Sequence, residues 1–544
     1  MVRRWQRWSI VTVSALLGLL FFAHYEGMRT IDPRECGWML GGKDGRWEQI
    51  GWEFFRREPW AIPPGRISRM SYPIGTSIAN TDSIPLLGIA LKPLSALLPE
   101  QFQYFGAWQL LCAVLQGVFA ALFMRLTGAP WPYQIMGTML FLWNPIAMPS
   151  GEHPARAAAG WMILAGLWLY FRPVQSSSRR RELVAWLVLA GLGAGINPYV
   201  CVMALAIGSA FFLRRWRVDR ALTFTQAGLG LAAVLLTAVA MWWIAGYFTV
   251  GGYGGLIAGE LGYWSMNLLA PINPMGWSLY LPDQPTATAG QYEGPAYMGL
   301  GILVLALSGA VALLIHPPTR AAIAEVVPPV LACAILLIGA LSPKLTLGAD
   351  VVAELPRALY APLAPFRASG RFFQPSGYLM LFLALRAVAH RLRPWRATAL
   401  MLAVVAIQYA DIHQKLDEFR RRNTHDSHYA WPQPLHRDNW RFATDTYARM
   451  ILVPAEGWDP EVTVPLVYLA ARSGLAINSG ESARGDGQAM WNYRRAEERR
   501  MGSGLLEPAE LYIVHPAHID AFQSRHGDRV SCSEVDGYHA CRAK

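Results

Sequence analysis

From Trp8 to Tyr409 the chain returns repeatedly to apolar runs, and the short connections between them are rich in arginine. Arg172 with Arg179, Arg180 and Arg181 forms one such connection, and Arg214, Arg215, Arg217 and Arg220 form another. Arg320 marks a third, and His390, Arg391, Arg393 and Arg396 a fourth. One soluble core cannot bury so many separate apolar stretches. Basic residues concentrated in alternate short loops are the pattern of a chain threaded through a membrane, with those loops inside. The expected fold class is a polytopic α-helical membrane protein.

Composition agrees. Of 544 residues, 53% are hydrophobic and 16% charged, with 22 Trp, 49 Gly and 37 Pro. Trp at interfaces and Gly or Pro within apolar runs are habits of membrane proteins. The net charge of +11 follows from the inside loops and from attraction to anionic lipid, so it implies no nucleic acid. Six Cys are too few and scattered for a disulfide scaffold. Cys112, Cys201 and Cys333 sit in apolar runs. Cys532 and Cys541 flank a stretch with the hairpin signal Asp536-Gly537, and form a disulfide if that end lies outside the cytoplasm.

Taken in order, the basic Met1–Arg7 precedes a first span at Trp8–His24, with the N-terminus inside. Tyr25–Gln103 is then an outer loop. It contains Ser83–Leu98, which is apolar but carries Lys92 and two prolines. Arg125 places the end of Tyr104–Leu126 inside, so Ser83–Leu98 dips or lies flat without crossing. Further spans follow at Trp131–Met148, Ala157–Phe171, Leu183–Ile196, Tyr199–Leu213, Leu222–Phe248, Met298–Ile315, Val326–Leu341, Phe372–Val388 and Thr398–Tyr409. About eleven transmembrane helices result. Thr249–Tyr297 and Ser342–Arg371 are the second and third outer loops.

The expected domains are a transmembrane module over 1–411, with its first loop at 25–103, and a C-terminal soluble α/β domain over 412–544. In the tail, Arg449–Val453 and Leu511–Val514 read as strands, Pro465–Ser473 and Pro516–Arg525 as helices, and Val530–Cys541 as a hairpin. Strands alternating with helices define the α/β class.

Candidate chemistry concentrates on the outer loops. Gly42–Trp60 reads as an acid-bearing amphipathic helix lying on the membrane like a shelf, with Trp47, Trp52, Phe54, Phe55 and Trp60 at the interface. Asp44 and Glu48 are four residues apart and share a helical face. Asp44 is the first candidate for a general base, because it opens the helix. Asp82 is the second, and it serves equally well as a helix cap. Solvated loop acids are the plain alternative for these carboxylates. Arg367 and Arg371 bracket Ala-Ser-Gly at the edge of a span, at the depth of a lipid-linked phosphate, and guanidinium suits phosphate oxygens. Interfacial anchoring by arginine is the competing role.

Glu152, His153 and Arg156 crowd one outer turn and could touch a sugar or cap the following helix. Tyr253, Tyr263, Trp264, Asn267, Gln291, Tyr292 and Glu293 have the composition of a carbohydrate-binding wall, which also suits any interfacial loop. His413, His425, His428 and His436 match no metal-ligand spacing. The sequence has no phosphate-binding loop, dinucleotide fingerprint or serine nucleophile elbow.

A first span, a long outer loop with an early acid, a non-crossing apolar helix, Glu152-His153-Pro154, the Asn197-Pro198 tip and Ser369-Gly370-Arg371-Phe372-Phe373 before a late span together resemble the GT-C class of integral-membrane glycosyltransferases. Closer similarity to an uncharacterised bacterial branch of that class lies in Gly51–Arg56, Thr81–Leu86 and Gln103–Gly106. The resemblance covers most of residues 1–411. It implies transfer, with inversion, of a sugar from a polyprenyl-phosphate donor to an envelope glycan, lipid or protein acceptor. Asp44 would be the base with Asp82 in reserve, and Arg371 and Arg367 would hold the donor phosphate. The implied location is the bacterial inner membrane, with the N-terminus cytoplasmic and the C-terminal domain periplasmic. A divalent cation (Mg or Mn) is left open as a cofactor, with no metal ligands assigned. Two other readings remain: a lipid or glycan transporter, and a non-catalytic subunit of an envelope polysaccharide assembly complex.

Overall fold

A computed structural model describes residues 2–40, 44–148, 158–173, 179–250, 261–425, 435 and 437–544. The chain divides into two compact units that do not follow its linear order. The first contains Met1–Glu35, Gln103–Met241 and Ile257–Asp426; the second contains Cys36–Phe102, Trp242–Leu256 and Ser427–Lys544. The helix Pro394–His425 runs unbroken across residue 411, where composition places a boundary. The larger difference is that the first outer loop belongs with the tail. Composition cannot reveal this, because backbone hydrogen bonds between distant segments create it.

Helices stand at every position where an apolar run predicts a span: Val2–Tyr25, Phe105–Met124, Trp131–Leu142, Trp161–Phe171, Arg179–Ile196, Pro198–Arg217, Phe224–Ala245, Leu300–Ile315, Arg320–Leu341, Gln374–Arg391 and Pro394–His425. Among the described residues, five helical stretches are long and apolar enough to cross a membrane: Phe105–Thr127, Pro198–Arg217, Phe224–Ala245, Arg320–Leu341 and Ser369–Arg391. Leu229, Leu236, Leu331, Ile335 and Ile338 point outward from two of them. Exposed apolar side chains of this density suit hydrocarbon better than water.

Inside the first unit, several buried polar side chains tie helices to one another through carbonyls and hydroxyls. Gln116 donates to the Tyr378 hydroxyl at 2.9 Å, and Tyr133 donates to the Leu385 carbonyl at 2.7 Å. Gln408 donates to the carbonyls of Trp143 and Met298 and accepts from the Ile302 amide. Asp411 is fully buried, with Tyr297 donating at 2.5 Å, the Leu300 amide at 2.9 Å, and the Ser278 hydroxyl as a third donor. This carboxylate ties Ser278, Tyr297 and Leu300 to the long helix Pro394–His425.

The inside-loop arginines depart from expectation. Arg214 and Arg215 are buried rather than solvated. Arg215 pairs with Glu182 at 2.8 Å and Asp219 at 2.7 Å, while Arg214 pairs with Asp219 and Glu325, both at 3.3 Å. Arg386 also reaches Glu325, at 3.0 Å. These charges knit four helices together. These arginines are therefore structural ties as well as loop charges.

The core of the second unit is a five-stranded sheet in the order Ala476–Ile477, Arg449–Val453, Glu510–Val514, Tyr538–Ala543, Val530–Val535. The first three strands are parallel and the last two form an antiparallel hairpin. The helix Pro460–Ser473 begins with an Asp459 cap and an N-terminal proline, and ends at Gly474 with φ 73°. Cys532 and Cys541 face each other across the hairpin and are joined as a disulfide. The first-loop segment 69–72 extends the sheet edge: the Ile477 amide donates to the Arg69 carbonyl and the Tyr72 amide to the Ile477 carbonyl, both at 2.8 Å.

The helix Gly45–Arg57 is a core element of this unit, not a shelf on a membrane surface. Trp52, Phe54, Phe55, Glu48, Gln49 and Glu53 are all 0–1% exposed. Arg46 on this helix pairs with Glu461 of the helix Pro460–Ser473 at 2.8 Å. Arg56 donates to the carbonyls of Ser95, Pro99 and Glu100, so it organises the chain rather than binding lipid headgroups. Interfacial character survives elsewhere, at the exposed Trp60, Ile62, Leu94 and Leu97. The helical stretch Pro85–Leu94 is too short to cross, since it rises only ~15 Å. Lys92 covers the rings of Phe55 and Trp60 at 4.1 and 4.5 Å.

Candidate functional site

In the second unit the helix Gly45–Arg57 packs closely on the turn that carries Asp82. At Gly51, a Cβ would lie 2.1 Å from Thr81 Oγ1 and 2.7 Å from Ser83 Oγ. Only glycine lets the helix approach the Asn80–Ser83 turn so closely. Ser83 Oγ donates to the Glu48 carbonyl at 2.6 Å, and the Thr81 and Ser83 hydroxyls share a hydrogen bond of 2.9 Å. The backbone at Glu48 and the turn that carries Asp82 are thus in direct contact.

The individual acids differ. Asp44 is half-buried and immediately precedes the helix, where its carbonyl accepts from the amides of Trp47 and Glu48. Its side chain makes no capping bond. Glu48 is 1% exposed. Asp82 is half-buried, with φ 59°. It does not cap the next helix: Ile84 occupies that position, without a side-chain cap. Its positive φ instead closes the preceding turn, where the Asp82 amide donates to the Ala79 carbonyl and the Ser83 amide to the Ile78 carbonyl, both at 3.3 Å. Beside it, Asn80 is 1% exposed and its Nδ2 has no hydrogen-bond partner among the described residues.

Glu53 is the strongest electrostatic feature here, although it was only one of several available acids in the sequence. It is fully buried, accepts from Gln49 at 3.0 Å and pairs with Arg57. Burial pushes its carboxyl above the usual range, and the neighbouring Arg57 and Arg56 offset this only in part.

In the first unit, Arg371 sits on the 3-10 turn Ser369–Phe373, pairs with Glu293 and lies 5.4 Å from the centre of the Tyr199 ring. Arg367 lies over Trp264 at 5.0 Å. Gly370 and Gly294 pack backbone to backbone: a Cβ on Gly370 would come within 2.4 Å of the Gly294 Cα. The two segments carrying Arg371 and Glu293 are thus held in register. The Arg371 turn leads directly into the helix Gln374–Arg391. That helix, with Leu300–Ile315 and Arg320–Leu341, lines an open apolar cavity of about 440 Å³. Its lining includes Phe373, Ser376, Ala310, Ala334 and Cys333.

The expected carbohydrate wall separates into two groups. Asn267 and Gln291 are buried building parts. Asn267 donates to Gln291 at 3.0 Å and to the Gly348 carbonyl at 2.8 Å, and Gln291 donates to Thr346 at 2.7 Å. These amides are spent on internal bonds and are not available to a ligand. Tyr263 and Tyr292 are 43% and 48% exposed and remain accessible. Glu152, His153, Arg156 and Tyr253 lie outside the described residues, as do Gly42 and Lys43. His413 hydrogen-bonds the Ala410 carbonyl. Among the described residues no three His, Cys, Asp or Glu side chains gather as a metal site.

Comparison with known families places the chain. Residues 15–413 match a family described as a domain of unknown function, DUF6311, and residues 439–543 match the DUF6311 C-terminal domain. The chain belongs to this family, and its C-terminal match coincides with the sheet-bearing segment. No curated protein matches it at a significant level.

Proposed function

We propose that the chain is an integral-membrane glycosyltransferase that takes a sugar from a polyprenyl-phosphate donor. One observation carries this reading: a guanidinium, Arg371, stands on the turn leading into an apolar cavity of about 440 Å³ among membrane-type helices. A cation beside a hydrocarbon-lined cavity fits an amphiphile with a phosphate head and a long chain. Arg367 adds a second cation, and Tyr263 and Tyr292 offer aromatic surface to the sugar.

In this reading an acceptor hydroxyl oxygen attacks the anomeric carbon and the bond from that carbon to the phosphate oxygen breaks. Polyprenyl phosphate leaves, its charge balanced by Arg371. Asp44 takes the hydroxyl proton, with Asp82 in reserve. The acceptor is an envelope glycan, lipid or protein. The eleven helices all span the inner membrane, with the N-terminus cytoplasmic and the sheet-bearing unit periplasmic. The Cys532–Cys541 disulfide supports an oxidising compartment. A divalent cation (Mg or Mn) stays open as a cofactor, with no ligands assigned.

The test is reconstitution in lipid with a polyprenyl-phosphate sugar and envelope acceptors, following released polyprenyl phosphate and transferred sugar. Both should appear, and Asp44→Asn and Arg371→Ala should each abolish them while the protein remains folded. Movement of intact glycolipid across the bilayer without covalent change would instead establish a transporter. Activity unaltered by EDTA would show that no exchangeable metal takes part.

A further inference from the structure

The parallel part of the C-terminal sheet has a feature the transfer reading does not use. The chain leaves the central strand Arg449–Val453, returns on one side as Ala476–Ile477, then crosses to the other side as Glu510–Val514. The direction of travel reverses there, so the carboxyl ends of the central strand and of Glu510–Val514 frame a crevice. In open parallel sheets that is where ligands bind.

The crevice is furnished with aromatic and hydrogen-bonding groups from both strand ends. Trp458 follows the central strand, and its indole nitrogen is tied to the Pro454 carbonyl at 2.7 Å. His515 follows Glu510–Val514, and its ring meets Trp458 edge to face at 4.8 Å. His515 Nδ1 accepts from the Ala517 amide at 3.2 Å, which leaves Nε2 to donate. His518 is exposed, 6.0 Å from His515 between ring centres. Glu456, in the loop with Trp458, pairs with Arg494, whose buried Nε has no hydrogen-bond partner among the described residues.

The same loops are poorly furnished for an anion. A phosphate at this edge would sit against the start of the helix Pro460–Ser473. That position already holds Asp459, which accepts from the Glu461 amide, and Glu461 lies in the first turn. Glu456 is paired with Arg494 and Glu461 with Arg46, so the loop carries little net charge, and Pro454–Asp459 has a single glycine rather than a phosphate-cradling set. Rigid aromatic faces with both donors and acceptors, beside charges that are already paired, fit a neutral ligand rich in hydroxyls.

We infer that the crevice formed by Trp458, His515, His518 and the Glu456–Arg494 pair binds a neutral saccharide. This inference does not rest on the donor chemistry proposed above, and either reading can fail without the other. The test screens the full chain in lipid nanodiscs against an array of neutral and anionic oligosaccharides, then titrates the best neutral binder. Wild-type protein should bind neutral glycans, Trp458→Ala and His518→Ala should each weaken the best one at least tenfold, and Trp458→Phe should hold within about threefold. His518 is exposed, so His518→Ala preserves the fold, and thermal unfolding of each variant checks this. Three results would overturn the inference: no neutral glycan bound above background, binding confined to anionic glycans, or folded Ala variants that bind like wild type.

Discussion

Asn267 and Gln291 in the first unit, and Asp44 and Asp82 in the second, come from the same kind of sequence: polar residues among aromatics on an outer loop. The structure treats them oppositely. Asn267 and Gln291 are at most 1% exposed and their amides satisfy one another, Thr346 and Gly348. Asp44, at the start of the helix Gly45–Arg57, and Asp82, in the turn packed on that helix, remain half-buried. Buried amides of the first kind build the loop, because an unmatched one costs free energy. Half-buried carboxylates on a rigid support keep access to solvent. Residue type alone does not separate scaffold from chemistry; the fate of each hydrogen bond does.

The sharpest way to break this contrast is at Asp44. Asp44→Asn keeps the shape and removes the base, so transfer should fall by about 10²–10⁴-fold with the unfolding temperature unchanged. Arg371→Lys retains a charge but loses the planar fork, and should lower transfer by about 10²-fold. Initial rates of polyprenyl phosphate release measure both. Equal activity in Asp44→Asn and wild type would move the acid role to Asp82, or end the comparison.

Gln291→Leu probes the other side. It should cost about 1–3 kcal/mol of stability by stranding Asn267 and Thr346, with KM for donor and acceptor unchanged in whatever protein folds. A raised KM at unchanged stability would return Gln291 to the binding wall. Gly51→Ala tests the support beneath the acids: its new Cβ collides with Thr81 and Ser83, for a loss of about 1–3 kcal/mol in thermal unfolding.

Legibility in the sequence followed the range of the forces involved. Apolar runs marked each long helix, because hydrophobic patterning is local. The tail's two main strands, its terminal hairpin and the Cys532–Cys541 pair were legible for the same reason. Nothing local shows that 69–72 edges the C-terminal sheet, that Arg215 is neutralised by Glu182, or that Asp411 is a buried acceptor for three donors. Each depends on partners brought together by folding. The Trp458–His515 crevice was hidden similarly, since a switch point exists only once strand order is known.

Glu53 gives the finest discrimination, because it is a carboxylate used as scaffold. Its folded pKa is raised by burial, so between the unfolded value near 4.5 and the higher folded value the native state holds more protons than the unfolded chain. Stability therefore declines as pH rises through that window, the reverse of a surface carboxylate paired in the native state. The loss should appear as a fall in the unfolding temperature from about pH 4.5 upward. Glu53→Gln keeps the size and the contact with Gln49, removes the titration, and should flatten this dependence even though Arg57 loses its partner. If the slope persists in Glu53→Gln, another group carries it. If wild-type stability rises with pH across the window, the Arg57 and Arg56 charges outweigh burial, and Glu53 joins the ionised acids of the site.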